Sequence, residues 1–287
     1  MENSRKPISV NTFQKFKNQN QKITMLTAYD YSTAKMLDEA GVDGILVGDS
    51  LAMVALGYED TMKVSTDEMV IFTQAVARGV KTALVVADMP FMSYQASIEE
   101  GIRNAGRLIK AGAKAVKIEG GDDYTAELIK RITGVGIPVV GHLGFTPQFI
   151  NSFGGHFVQG KSAENTKKIL EEARKIECAG AFCIVLEMVP EESAKYITEN
   201  ISVPTIGIGA GRFCSGQILV SDDILGKYSD FTPKFVKKYT DIYTVIKQAA
   251  SEYVADVRKL NFPEEKNVFK LDENEGKKLY DIINKNS

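Results

Sequence analysis

Eight short apolar runs recur along the 287 residues of this chain, and most are followed by a stretch with helical spacing. In order, the strand-like runs are 22–28, 44–50, 83–90, 115–121, 138–144, 181–189, 204–211 and 217–220. Helical patterns occupy 31–40, 66–77, 98–111, 124–132, 162–179, a segment opening at Pro190, and 233–260. Strands that alternate with helices predict parallel βαβ units, because a parallel connection must cross back over the sheet. Eight is also the strand count that closes a (β/α)8 barrel, and the chain length fits one. An open doubly wound sheet is the alternative. It usually carries a G-x-G-x-x-G turn after its first strand, and none is present here. The expected architecture is an α/β fold, a TIM barrel over 1–263. A short N-terminal helix capped by Asn11 or Thr12 precedes its strands, and a charged extension follows over 264–287.

Composition removes several function classes. Lys and Arg total 35 against 37 Asp and Glu, a formal net charge of -2, so nothing favours nucleic acid or an anionic membrane. No apolar run reaches bilayer length, and the first residues lack the apolar centre of a secretion signal. Cys178, Cys183 and Cys214 are odd in number and lack metal-ligand spacing, so each is read as a small buried thiol in a reducing cytoplasm.

Charge is concentrated where strands end. In 115–121, Lys117 and Glu119 lie two residues apart and share a strand face, with Val116 and Ile118 on the other. Opposite charges on a buried parallel strand need partners, a metal or a substrate. Asp49 ends the second run, Asp88 the third, His142 the fifth and Glu187 the sixth. In a barrel all of these converge on the carboxyl-end mouth, where barrel enzymes keep their chemistry. Asp49, Asp88 and Glu119 are carboxylates on consecutive strands and require counter-charge. A hard divalent cation with oxygen ligands is the favoured source, and neutralisation by Lys117 alone is the other. Glu187 follows a strongly apolar run and is a candidate proton acceptor or a structural carboxylate. His142 either donates to a substrate oxyanion or orients a carboxylate. His156 is read as a loop residue. Gly207, Gly209 and Gly211 serve either a phosphate loop or close packing, with packing favoured.

Several segments of the chain together resemble the ketopantoate hydroxymethyltransferase family. They are MLTAYDYSTAKMLDEAGVDGILVGDSLAMVALGYEDT, ADMPFMSY, AVKIEGG, GHLGFTPQ, VLEMVP, and PTIGIGAG with GQILVSDDILG. The resemblance implies a (β/α)8 barrel and Mg2+. It also implies hydroxymethyl transfer from 5,10-methylenetetrahydrofolate to 3-methyl-2-oxobutanoate through an enolate, giving ketopantoate in pantothenate biosynthesis. Carried over to this sequence, Asp49 and Asp88 match metal and ketoacid ligands, and Glu119 a third metal-linked carboxylate. Ser50 and Lys117 match ketoacid contacts, and Glu187 the proton acceptor. The resemblance further implies small-molecule partners only, the 2-oxo acid and the folate, and a homo-oligomer, often a decamer. Ser215 and the Ser221-Asp222 pair depart from the family pattern, away from the carboxylates. Two other readings of the same residues are a mutase or lyase of the phosphoenolpyruvate mutase and isocitrate lyase group, and a Schiff-base enzyme using Lys117.

Overall fold

The expected alternation closes into a ring. The computed structural model describes residues 5–227 and 233–285. Its strands are β1 (Ile23–Thr27), β2 (Gly44–Val47), β3 (Leu84–Asp88), β4 (Ala115–Glu119), β5 (Val139–Gly144), β6 (Cys183–Glu187), β7 (Thr205–Ile208) and β8 (Gly216–Leu219). They pair in parallel in sequence order, and β8 returns to β1. Helices Tyr31–Glu39, Thr66–Gly79, Ile98–Lys110, Asp123–Gly134, Ala163–Cys178 and Glu191–Glu199 follow β1 to β6 in turn. The first five of them start where a short polar side chain accepts a first-turn N–H: Asp30, Ser65, Ser97, Asp122 and Ser162.

Strand phase sorts the side chains. On β4, Val116 and Ile118 face outward into the cluster that includes Leu128, Ile129 and Ile132 of the covering helix. Ala115 faces inward, into a second cluster with Phe13, Met25, Leu46, Val86, Val140 and Cys183. Lys117 and Glu119 share the inward row of Ala115, toward the carboxyl end. Phe13 lies on the helix Val10–Asn18 and is fully buried in that inner cluster. The cap of this helix lies two or three residues earlier than expected. Its N-cap is Ser9, whose N–H is held by Thr12 Oγ1 at 3.1 Å, so Thr12 completes the cap from inside the helix.

Two further expectations are corrected. The closing helix does not run over 233–260. It spans Ile242–Arg258, because Asp241 accepts the N–H of Thr244 at 3.1 Å and starts the helix there. The chain forms two compact units, Met1–Tyr239 with the barrel and Thr240–Ser287 with the helices Ile242–Arg258 and Glu273–Lys285. Finally, Cys183 and Cys214 are buried but Cys178 is exposed. Ala173 and Ile176 mark the buried face of its helix, and Cys178, two residues past Ile176, points off it. Among the described residues no helix is long and apolar enough to cross a membrane.

Candidate active site

The strand ends bring the expected residues together. Barrel register sets Asp88 beside Lys117, Glu119 beside His142, and Gly144 beside Glu187. Lys117 Nζ lies 3.2 Å from Asp88 Oδ1 and 3.7 Å from Glu119 Oε1. It is also 3.1 Å from His142 Nδ1. An ammonium can only donate, so Nδ1 is the acceptor and the neutral ring carries its proton on Nε2. That atom faces Glu187 Oε2 at 3.3 Å, without hydrogen-bond alignment. Glu187 is the most exposed member of the chain of contacts, with 17% of its side chain accessible. Asp49 joins through its backbone, whose N–H donates to Asp88 Oδ2 at 3.0 Å. Ser50 Oγ lies 2.8 Å from the hydroxyl of Tyr29.

These groups are out of water, and their protonation shows it. Burial, reinforced by Glu119 and opposed by Lys117, pushes Asp49 up to about 6. Burial lifts Asp88 to about 7 against the pull of Lys117. Glu119 is raised by burial, with Lys117 and the Gln148 N–H opposing. Burial alone would depress Lys117, but Asp88, Glu119 and Asp49 outweigh it and hold the ammonium above its ordinary range. A lysine held this way stays protonated, which counts against the Schiff-base reading. His142 is lowered by burial and by Lys117, so it is neutral.

The groups line one cavity of about 120 Å3, and its walls differ. Asp49, Asp88, Lys117, Glu119 and His142 form a charged wall. Ile208, Ile218, Leu219 and Val220 form an apolar one. Glu187 stands at the seam, because its register partner on β7 is Ile208. A larger cavity of about 260 Å3 lies under 145–160, lined by Phe149, Phe153, Lys168 and Glu172 among others, and it holds none of the strand-end charges.

A divalent cation was expected on Asp49, Asp88 and Glu119. Among the described residues no three His, Cys, Asp or Glu side chains close around one point as a metal cage. Glu119 Oε2 accepts the Gln148 N–H at 3.0 Å, and its Oε1 faces Lys117 and His142. The donor set nevertheless fits such an ion. Asp88 Oδ1 and Glu119 Oε1 are buried oxygens that accept no hydrogen bond. One ammonium also faces several carboxylates here, and the remaining coordination positions of Mg2+ are those that water or substrate oxygens fill.

Gly209 and Gly211 serve packing. Both have left-handed φ, +62° and +73°, and an added Cβ would sit 2.7 Å from Phe235 Cδ1 and 2.5 Å from Glu191 Cγ respectively. His156 stacks on Phe145 at 5.1 Å between ring centroids, outside the charged cavity. Reading by residue type missed two groups, Gln148 and Tyr94. Both are buried and hydrogen-bonded into the carboxylate cluster. Neither is an ionisable strand end, so no local signal marked them.

A closed parallel barrel with a buried acid–base cluster in a small pocket at its carboxyl mouth defines a barrel enzyme acting on a small molecule. Solved structures support the fold. The chain matches phosphonopyruvate hydrolase with a TM-score of 0.61 at 12% identity, covering 96% of this chain and 98% of that one. It matches 2,3-dimethylmalate lyase, a member of the PEP mutase/isocitrate lyase superfamily, at 0.55 and 15%, covering 92% and 90%. At those identities the likeness is one of fold alone. Sequence comparison goes further: the ketopantoate hydroxymethyltransferase family model matches residues 7–265. The 3-methyl-2-oxobutanoate hydroxymethyltransferase of Clostridium botulinum (strain Langeland) is 57% identical over 273 residues, 95% of this chain and 99% of that protein. The chain belongs to the ketopantoate hydroxymethyltransferase family.

Proposed function

We propose that the mouth binds 3-methyl-2-oxobutanoate and adds a hydroxymethyl group to its C3, with 5,10-methylenetetrahydrofolate as donor, giving ketopantoate for pantothenate synthesis. One observation carries the reading of the site: a small two-sided cavity with a carboxylate at its seam. The substrate has the same division. Its carboxylate and ketone oxygens match the charged wall, and its isopropyl group matches Ile208, Ile218, Leu219 and Val220. The proton to be lost sits on C3, between the two parts, which places it toward Glu187.

The residues then divide the work. Glu187 accepts the C3 proton. His142, neutral with its proton on Nε2, faces Glu187 at 3.3 Å. The charge that grows on the ketone oxygen is met by the Lys117 ammonium, which Asp88 and Glu119 hold in place. Ser50, held by Tyr29, is available to the substrate's polar end. C3 then forms its bond to the methylene carbon, water supplies the hydroxyl, and both bonds from that carbon to the folate nitrogens break, so tetrahydrofolate leaves carrying the proton taken from C3. Asp49, Asp88 and Glu119 would hold Mg2+. Bound there, the ion supplies Lewis acidity that makes the C3 proton easier to remove.

The test is turnover of the ketoacid with methylenetetrahydrofolate, before and after EDTA, and after Mg2+ is returned. Metal-dependent formation of ketopantoate is expected. Ketoacid proton exchange without any product from the folate would sink the proposed donor, and turnover indifferent to EDTA would sink the cation.

A further inference from the structure

Gln148 makes a pattern of contacts that a loop residue does not need for its own packing. It is the fourth residue of the excursion 145–160 between β5 and the helix Ala163–Cys178, and it is only 3% exposed. Its side-chain Nε2 donates to Asp49 Oδ2 at 3.0 Å and to the Met89 carbonyl at 2.9 Å. Its backbone N–H donates to Glu119 Oε2 at 3.0 Å. Its Oε1 accepts from the Tyr94 hydroxyl at 2.9 Å and from Gln95 Nε2 at 3.1 Å. The Tyr94 oxygen in turn accepts the Glu119 N–H at 3.2 Å.

This bonding fixes the amide in one orientation. Turned over, its oxygen would meet Asp49 Oδ2 and the Met89 carbonyl, two acceptors with no proton between them. The residue also couples carboxylates that sit on different strands. Asp49 follows β2 and Glu119 ends β4, and Gln148 gives a donor to each. In both, the oxygen it binds is Oδ2 or Oε2. Oε1 of Glu119 is thereby left facing Lys117 and His142.

We propose that Gln148 is a positioning residue: it sets which oxygens of Asp49 and Glu119 face the reacting centre, and it ties the excursion 145–160 to that centre. Two consequences follow. Loss of the side-chain amide weakens catalysis with little effect on ketoacid affinity, because the misplaced groups act on the charge that develops during reaction. It also loosens the excursion, which this amide anchors together with the buried Phe145 and Thr146. The proposal rests on the reading that Asp49 and Glu119 belong to the reacting centre.

The experiment uses the full chain with Gln148→Met, which keeps the shape and the backbone bond to Glu119 but removes the side-chain donor to Asp49, and Gln148→Asn, which keeps the amide and shortens its reach. Two quantities are read: kcat and KM for 3-methyl-2-oxobutanoate per folded molecule, and backbone amide exchange over 145–160 in the protein without substrate. Removing a buried hydrogen bond to a charged group is expected to lower kcat about 10- to 100-fold in Gln148→Met, with a small change in KM. Faster amide exchange confined to 145–160 is expected in both variants. A kcat at the unaltered level with only a lowered melting temperature would overturn the proposal, because it would make Gln148 structural. So would unchanged exchange over 145–160. If Gln148→Met does not fold, Gln148→Asn decides on the same readouts. If the unaltered chain makes no ketopantoate, the reaction is wrong, and the exchange measurement alone judges Gln148.

Discussion

The two ends of the barrel use the same inward-facing rows of the same strands, yet one is dry and apolar and the other is charged. At the amino end, Phe13 lies in one cluster with Ile23, Met25 and Leu84. Farther along the inward rows the chemistry changes: Leu84 and Val86 give way to Asp88, Ala115 to Lys117 and Glu119, Val140 to His142, and Cys183 and Val185 to Glu187. At about 3.3 Å of rise per residue, a step of two residues separates the layers by roughly 7 Å. Stability and chemistry are therefore stacked rather than mixed. The apolar layers contribute burial, and the mouth carries electrostatic strain, which the raised Asp49 and Asp88 record.

Four measurements break or sharpen that contrast. The largest effect is expected from Glu187→Gln. It should slow exchange of the ketoacid C3 proton about 10^2- to 10^4-fold while the melting temperature barely moves. Undiminished exchange would remove Glu187 as the base. At the opposite end, Phe13→Ala should cost about 3–5 kcal/mol in denaturant unfolding. Its kcat per folded molecule should stay at the unaltered level, and a selective fall in kcat would show that the two ends are not separable.

A pH series comes next. Asp49 is raised above its ordinary value to about 6, so between pH 4 and 7 the folded state holds more protons at this site than the unfolded state. Its contribution to stability is fully present at the acid end and is lost as pH rises through about 6. In EDTA, the stability of the unaltered protein minus that of Asp49→Asn should fall from pH 4 to 7, by on the order of 1–3 kcal/mol. Added Mg2+ should flatten the fall. A difference that rises over that interval contradicts the strain assigned to the mouth. The smallest effect belongs to the apolar wall. Ile208→Ala should raise the ketoacid KM about 10-fold and reduce discrimination against 2-oxo acids with smaller side chains. An unchanged preference would place the isopropyl group elsewhere.

The sequence by itself determined the strand phase and the residues at each strand end. Alternation with period two is a local property, so Lys117 and Glu119 could be set on one face, and Asp49, Asp88, His142 and Glu187 at the carboxyl ends, before any contact was known. The match to a family pattern added Ser50. Only the tertiary structure decided the partners. Gln148 reaches Asp49 across 99 residues of chain, and Lys117 reaches His142 across 25. Such pairs are set by barrel closure and strand register, which no window of sequence contains. The same reason explains the corrections. A cysteine's exposure depends on which side of a helix packs, and the start of helix Ile242–Arg258 depends on the bond that Asp241 makes. The two-sided pocket is also tertiary. Its apolar wall comes from Ile208, Ile218, Leu219 and Val220, ordinary aliphatic residues in sequence, which acquire a role because β7 and β8 close the ring opposite the charges.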